Sequence, residues 1–157
     1  MVADTFNHRI HVLNESGRFL HVFGSRGSSL NLFDTIYNIC YDKQYHQVLV
    51  ADTFNKRVSL WSHDTCSKPQ PLSQIRVQDY CNSVCIDPVR NHHILIGTEC
   101  NVVVYDSRNH KEPIQTLGSN TTGSELGEFD FVNGLCINEQ DGTLLVVDYW
   151  NRRIQLF

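Results

Sequence analysis

The chain has 157 residues, of which 41% are hydrophobic and 19% are charged, and its formal net charge is −4. This composition is typical of a folded domain rather than a disordered segment, and the acidic balance argues against nucleic-acid binding through overall charge alone. The sequence has no run of about 18 apolar residues, so it predicts no membrane-spanning helix.

The chain opens inside a motif that recurs along the sequence. The copies are Val2–Ile10 (VADTFNHRI), Val50–Val58 (VADTFNKRV) and Val147–Ile154 (VDYWNRRI). The first two copies are 48 positions apart and the last two are 96 positions apart, which indicates a repeat of about 48 residues. Because the chain starts within a copy, we expect upstream sequence, and any targeting segment in it, to be missing.

Four short strands are expected in the second repeat, because β-branched and aromatic residues alternate there with turn formers. The predicted strands are Tyr37–Tyr41, Gln47–Ala51, Lys56–Trp61 and Gln74–Val77. The first two are almost continuously apolar and are expected to be buried on both faces, whereas the third alternates and is expected to be more exposed. Four strands per 40 to 50 residues are typical of a propeller blade.

Extending this pattern over residues 1–157 predicts one all-β segment of three, four, four and three antiparallel strands. The predicted blades are a partial blade at 1–31, a blade at 32–78, a degenerate blade at 79–118 and a partial blade at 119–157. In the degenerate blade, Thr98-Glu99-Cys100-Asn101 replaces the motif and its arginine is lost. The segment is thus predicted to comprise two complete blades flanked by two incomplete ones.

The six cysteines do not follow the pattern of a disulfide framework. One set recurs at an equivalent position between apolar residues and is expected to be buried: Cys40, Cys85 and Cys136. The other set is irregular: Cys66, Cys81 and Cys100. This usage favours a reducing, cytoplasmic location.

Each well-formed motif carries an Asp-x-x-Asn-x-Arg set. Its members are Asp4, Asn7, Arg9, Asp52, Asn55, Arg57, Asp148, Asn151 and Arg153. Asp and Asn form turns, and arginine offers forked hydrogen bonds to a carboxylate. Since the set recurs in every well-formed copy, we interpret it as a device that holds the tight turn between two strands rather than as an active site.

The positions that differ between copies are the better candidates for binding. The cationic position holds His8, Lys56 or Arg152, and the aromatic position holds Phe6, Phe54 or Trp150. Together with Arg57 these are the predicted partner-binding residues, and we expect Arg26, Arg108 and Lys111 nearby. Alternatively, the aromatic side chains pack over the turn and take no part in binding.

Other motifs give weaker indications of chemistry. Cys81, Cys85, His92 and His93 offer zinc-ligand atoms, but Cys85 belongs to the recurring apolar position. The glycine-rich stretches at residues 24–29 and 118–123 lack the Gly-Lys-Ser/Thr ending of a phosphate-binding loop and are interpreted as connections between blades. No catalytic motif is present, so we expect neither a cofactor nor a metal, and no enzyme activity.

The motif resembles the NHL repeat, whose name-giving region corresponds to Asn7-His8-Arg9-Ile10, and the resemblance extends to the preceding element at residues 129–138. Val132 or Asn133 stands where that family usually has proline. The resemblance implies propeller blades that act as a protein-interaction scaffold, such as the substrate- or partner-binding part of a ubiquitin ligase.

The resemblance also implies two alternatives. The first is RNA binding through a basic and aromatic propeller face, as in tripartite-motif ligases. The second is a fragment of a metalloenzyme similar to peptidyl-amidating lyases. We expect a protein partner, no membrane, and self-association through exposed blade faces.

Overall fold

The computed structural model describes residues 1–63 and 67–157 and is all-β. Its strands form four antiparallel sheets, each a simple meander in which consecutive strands pair. The described ranges contain two short 3-10 turns, Thr5–Asn7 and Thr53–Asn55, and no α-helix. Within these ranges, no helix has the length and apolar character needed to span a membrane.

The sheets contain three, four, four and three strands, which confirms the predicted strand count for each sheet. The first sheet comprises β1 (Val2–Asp4), β2 (Arg9–Leu13) and β3 (Phe19–Phe23). The second comprises β4 (Ile36–Asp42), β5 (Gln47–Asp52), β6 (Arg57–Ser62) and β7 (Pro71–Arg76). The third comprises β8 (Ser83–Asp87), β9 (His93–Gly97), β10 (Asn101–Asp106) and β11 (Gln115–Gly118). The fourth comprises β12 (Val132–Ile137), β13 (Leu144–Asp148) and β14 (Arg153–Leu156).

The fourth strand of the second sheet differs from its prediction. It was expected at Gln74–Val77 but occupies Pro71–Arg76, so Pro71, expected in the connection, is its first residue. Proline fits there because β7 is an edge strand and its first residue need not donate a ladder hydrogen bond.

The chain forms two compact units, Met1–Val77 and Gln78–Phe157. The core of the first unit is buried between the first and second sheets, with Phe23 and Phe33 packed on Trp61 at ring-centroid distances of 4.7 and 5.2 Å. The core of the second unit is buried between the third and fourth sheets and includes Phe129 and Val132. In each unit, therefore, two neighbouring sheets share one apolar core.

Two expectations about burial are wrong. β6 was expected to be more exposed than β4 and β5, but residues from Arg57 to Trp61 are buried. Trp61 packs in the core, and the Arg57 side chain is enclosed by Asp52 and the loop before β4. β4 was expected to be buried on both faces, but Tyr37 and Tyr41 are exposed on this edge strand.

The recurring cysteine position is not uniformly buried. Cys85 is buried, Cys40 is partly buried and Cys136 is exposed. Cys136 precedes the buried Ile137, so its side chain points to the opposite, open face of β12. The other cysteines that the structure describes, Cys81 and Cys100, are buried, and Cys66 lies outside the described residues.

Candidate partner-binding turns

The repeated motif forms a tight turn between two strands of a sheet. In the first two copies, a 3-10 turn follows the aspartate and ends at a residue in the left-handed conformation. The variable cationic residue occupies this position in all three copies, with φ of 54° at His8, 51° at Lys56 and 54° at Arg152. The left-handed residue reverses the chain, so the next strand can begin at the motif arginine.

The conserved members of the motif act as a clamp, which is clearest in the second copy. Arg57 donates from Nε to Asp52 Oδ2 at 2.7 Å, and Asn55 Nδ2 donates to the same carboxylate. The other two guanidinium nitrogens of Arg57 donate to three backbone carbonyl oxygens. These belong to Ser28, Ser29 and Leu32, at 2.9, 2.8 and 2.7 Å. The motif thus holds the loop that precedes β4.

The third copy repeats this clamp at the same sequence separations. Arg153 donates from Nε to Asp148 Oδ2 at 2.7 Å. Its other nitrogens donate to three carbonyl oxygens of the loop before β12, those of Ser124, Glu125 and Glu128. Asn151 Nδ2 donates to Gly123 O at 2.8 Å, as Asn55 Nδ2 does to Gly27 O. The same motif therefore performs the same structural task in both units.

The clamped loops were not recognised as partners of the motif in the sequence, although a signal for them exists. Gly27–Asp34 (GSSLNLFD) and Gly123–Asp130 (GSELGEFD) share the pattern Gly-Ser-x-Leu-x-x-Phe-Asp, 96 positions apart. In each loop the glycine N–H donates to the phenylalanine carbonyl, and the final aspartate donates its N–H to Oδ1 of the motif aspartate. These loop residues are as much a part of the repeat as the motif itself.

The first copy has the same side chains but holds no loop. Arg9 Nε donates to Asp4 Oδ2 at 2.8 Å, and Asn7 Nδ2 donates to Asp4 Oδ1 at 2.9 Å. Neither Arg9 nor Asn7 contacts a backbone carbonyl within the described ranges, and the Arg9 side chain is 43% exposed, against 2% for Arg57 and 26% for Arg153.

The degenerate turn of the third sheet keeps a smaller version of this arrangement. Thr98 Oγ1 donates to Asn101 Oδ1 at 2.8 Å, and Asn101 Nδ2 donates to Ser119 O at 3.5 Å. Without an arginine, this turn has no guanidinium to hold the loop that precedes its sheet.

In the first unit, the residues Asp34 and Thr35 connect two motif turns. Their carbonyl oxygens accept from the N–H groups of Phe54 and Thr53, respectively. The Thr35 N–H donates to His8 Nδ1 at 2.9 Å, and His8 lies 3.5 Å from the Asp34 carboxylate. His8 Nδ1 is therefore engaged within the fold, and the partner-binding role of His8 stays a prediction.

The aromatic residues of the turns are exposed. Phe6, Phe54 and Trp150 are 84, 53 and 62% exposed, so most of each side chain is not used in packing over its turn. Lys56 and Arg152, the neighbouring cations, are also exposed. Aromatic and cationic side chains thus stand together at the tip of the second and the third motif turn.

The third copy presents the most developed surface. Trp150 makes edge-to-face contacts with Tyr149 and Phe131, at centroid distances of 4.9 and 6.4 Å. Tyr149 and Arg152 line a shallow cavity of about 330 Å³ that also exposes Ile154. Tyr149, which was not among the predicted binding residues, belongs to this surface because its neighbour Trp150 packs against it.

Other candidate residues are not brought to these turns. Arg108 and Lys111 follow β10, whereas the Thr98–Asn101 turn precedes it, so they lie at opposite ends of that strand, and Arg108 pairs with Asp106 at 3.2 Å. The expectation that they lie near the motif is therefore wrong. Within the described ranges, no three His, Cys, Asp or Glu side chains form a metal-binding group, so Cys81, Cys85, His92 and His93 are not assembled into one.

The three motif carboxylates differ in electrostatic environment. The hydrogen bond from Arg9, then that from Asn7, lowers the pKa of the partly exposed Asp4. Burial raises the pKa of Asp52 against the opposing hydrogen bonds from Asp34, Asn55 and Arg57. At Asp148, burial is the largest single influence and acts upward, but the hydrogen bonds from Asp130, Arg153 and Asn151 together outweigh it and lower the pKa.

Comparison with known proteins shows similarity of fold. No protein-family model matches the chain, and no curated protein matches it. Among solved structures, 318 chains match. One of them, the Kuenenia stuttgartiensis hydrazine synthase, superposes on 96% of this chain with a TM-score of 0.68 and 13% sequence identity. The present chain covers 40% of that chain, and at so low an identity the likeness concerns the fold alone.

Proposed function

We propose that this chain is a non-enzymatic protein-interaction module built from NHL-type propeller blades, and that it binds a partner protein through the exposed tips of its motif turns. The observation that carries the proposal is an exposed surface on which Trp150 packs against Tyr149, beside a shallow cavity that Tyr149 and Arg152 line. Tyrosine, tryptophan and arginine are the residues most enriched at the energetic centres of protein interfaces.

Different side chains of the motif have different roles, and this difference supports the proposal. The side chains that are identical between copies, Asp, Asn and Arg, are used to hold a loop. The aromatic and cationic side chains beside them differ between copies and are exposed at Phe54, Lys56, Trp150 and Arg152. A scaffold that presents variable side chains from a constant turn suits partner recognition.

The blade architecture is supported by the sheet pattern. Each sheet is a meander of three or four antiparallel strands, the motif recurs at an interval of 48 positions, and neighbouring sheets of a unit share one core. These are the features expected of consecutive propeller blades. A role as the partner-binding part of a ubiquitin ligase rests on the sequence resemblance alone.

RNA is the competing ligand class, since an aromatic ring beside a cation also suits base stacking. Two observations favour protein. Trp150 is already engaged edge-to-face by Tyr149 and Phe131, and the chain carries a net charge of −4. An RNA-binding surface would need a basic field to attract phosphates.

The proposal is tested by placing a photoreactive phenylalanine analogue at Trp150 and, as a control, at Ile114, an exposed apolar residue next to β11. After irradiation in an extract of the source cells, with and without ribonuclease, we expect a protein adduct from position 150 alone that survives the nuclease. Recombinant partner should then bind the Trp150→Ala, Arg152→Ala double variant at least tenfold more weakly. Adducts to RNA, or equal protein adducts from both positions, would contradict the proposal.

A further inference from the structure

A hydrogen bond between His8 and Thr35 connects the first motif turn to the segment that precedes β4. The Thr35 N–H donates to His8 Nδ1 at 2.9 Å, and Thr35 is only 4% exposed, so a buried backbone donor depends on a side chain for its acceptor. Thr35 has a φ of 62°, which is rare for a β-branched residue. Such a conformation persists where the surrounding structure holds it. The imidazole therefore helps to hold a strained backbone segment in place.

The corresponding residue of the second unit is held by a different kind of acceptor. Phe131 lies 96 positions after Thr35 and has a similar φ of 63°. Its N–H donates to the backbone oxygen of Glu99, which belongs to the motif turn of the preceding sheet, as His8 does in the first unit. A carbonyl oxygen accepts at any pH, whereas an imidazole nitrogen accepts only when it is unprotonated. The same N–H of the repeat thus has a constant acceptor in one unit and a titratable acceptor in the other.

Two groups compete for Nδ1 of His8. A neutral imidazole accepts through one ring nitrogen and donates through the other, whereas an imidazolium donates through both. Because Nδ1 accepts from the Thr35 N–H, the ring in this arrangement is neutral. The Asp34 carboxylate lies 3.5 Å from the same nitrogen. A proton on Nδ1 would remove the acceptor of the Thr35 N–H and give the ring a carboxylate as its partner instead.

The charges around His8 favour this exchange of partner. They are Asp34 in the loop before β4, Asp52 with its partner Arg57 in the second sheet, and Asp4 with its partners Arg9 and His11 in the first sheet. Since arginines engage Asp4 and Asp52, Asp34 is the carboxylate placed to receive a proton donor from His8. Lysine and arginine, which occupy this position in the other two copies, offer no acceptor at all.

We infer that His8 is a pH-sensitive contact that holds the second motif turn when the imidazole is neutral and loosens it when the imidazole is protonated. The held segment supports that turn directly, because the carbonyl oxygens of Thr35 and Asp34 accept at 3.0 Å from the N–H groups of Thr53 and Phe54. Loss of the hydrogen bond to His8 therefore weakens the support of the turn that presents Phe54. The inference does not rest on the proposed function, because every readout of its test is structural.

The test measures amide hydrogen exchange of the full chain at pH 8 and pH 5, the range in which histidine side chains commonly change charge, as protection factors corrected for intrinsic rates. The ¹⁵N resonances of the His8 imidazole report its tautomer and protonation. His8→Asn is the informative variant, because asparagine tolerates the left-handed conformation and its Oδ1 accepts at both pH values. His21→Asn, in β3 of the same sheet, is the matched control, and the Phe131 amide is the internal one.

We expect the protection of the Thr35 amide to fall at least tenfold from pH 8 to pH 5 in the parent chain and in His21→Asn, together with that of Thr53 and Phe54. In His8→Asn it should change less than twofold, and Phe131 should stay protected throughout. A thermal melt of His8→Asn at pH 8 that matches the parent chain shows that the variant is folded.

Three results in the parent chain would overturn the inference: a neutral imidazole with its proton on Nδ1 at pH 8, an imidazole that stays neutral at pH 5, or protection of Thr35 that is independent of pH. A fall in protection that persists in His8→Asn would also overturn it. Such a fall would belong to another group, such as Asp52, whose pKa is raised by burial.

Discussion

Arg57 and Asp52 form a buried ion pair with an Nε to Oδ2 distance of 2.7 Å, and the rest of the Arg57 guanidinium holds three carbonyl oxygens of a distant loop. Arg9 and Asp4 form an equivalent pair at 2.8 Å that is only partly buried and holds no loop of the described chain. Comparison of these two pairs separates what the clamped loop contributes to the free energy of unfolding from what the turn itself contributes.

The same conservative substitution should therefore have different effects at the two arginines. Arg57→Lys leaves loop carbonyls without donors in a buried site and should lower the free energy of unfolding by about 2–4 kcal/mol. Arg9→Lys should lower it by less than about 0.5 kcal/mol, as is usual for an exposed substitution. Urea denaturation of both variants measures the difference, and equal losses would contradict the clamp.

Acid should affect the two buried carboxylates in opposite directions. The lowered pKa of Asp148 means that its contribution to stability is present above the unfolded pKa, about 3.9, and is lost as the pH falls through the folded pKa. The raised pKa of Asp52 means that this carboxyl favours folding when protonated, so its contribution is lost as the pH rises through the folded pKa.

Denaturation midpoints of the Asp148→Asn and Asp52→Asn variants, measured between pH 3 and pH 6, test these opposite pH dependences of stability. Removing the titration of Asp148 should flatten the rise of stability with pH, whereas removing that of Asp52 should steepen it. Identical changes of slope in the two variants would show that the two sites do not differ as their surroundings indicate.

Gly24 should tolerate no side chain. Its φ is 85°, and a Cβ atom there would overlap the ring of Phe33, which is fully buried in the core. Gly24→Ala should lower the free energy of unfolding by about 2–3 kcal/mol, since both the backbone and the core are strained. Gly17→Ala is the control, because Gly17 also has positive φ but faces open space, and it should cost about 1 kcal/mol.

Lys56 combines a left-handed backbone with an exposed cationic side chain. Lys56→Gly should raise the free energy of unfolding by about 0.5–1 kcal/mol, because glycine adopts this conformation without Cβ strain. The same variant removes a cation of the proposed binding surface, so it should stabilise the chain and weaken partner binding at once. A destabilised variant would mean that the Lys56 side chain has a structural role.

The sequence was sufficient to predict the all-β class and the strand count of each sheet, because the motif marks the same turn in every copy. It could not predict burial, since equivalent residues meet different neighbours. Cys85 and Cys136 occupy one repeat position, yet only Cys85 is buried. The ring of His8 is occupied by Thr35, a contact across 27 residues that depends on the packing of two sheets.

The candidate site was predicted in part. Trp150 and Arg152 are exposed and their binding role stays a prediction, whereas the position of Tyr149 beside them and the clamped loops required coordinates. The Gly-Ser-x-Leu-x-x-Phe-Asp pattern was visible in the sequence. The arginine that binds it lies 25 to 29 residues further along the chain, so the contact between them required coordinates.

Hydrogen exchange at residues 27–34 tests most directly the central claim that the repeated motif is a loop clamp. The amides of Gly27 and Leu32 are hydrogen-bonded within this loop, that of Phe33 donates to Ser25 O, and that of Asp34 donates to Asp52 Oδ1. In Arg57→Lys these amides should exchange at least tenfold faster than in the parent chain, whereas in Arg18→Lys they should exchange at the parent rate. Unchanged protection of the loop in Arg57→Lys would contradict the account.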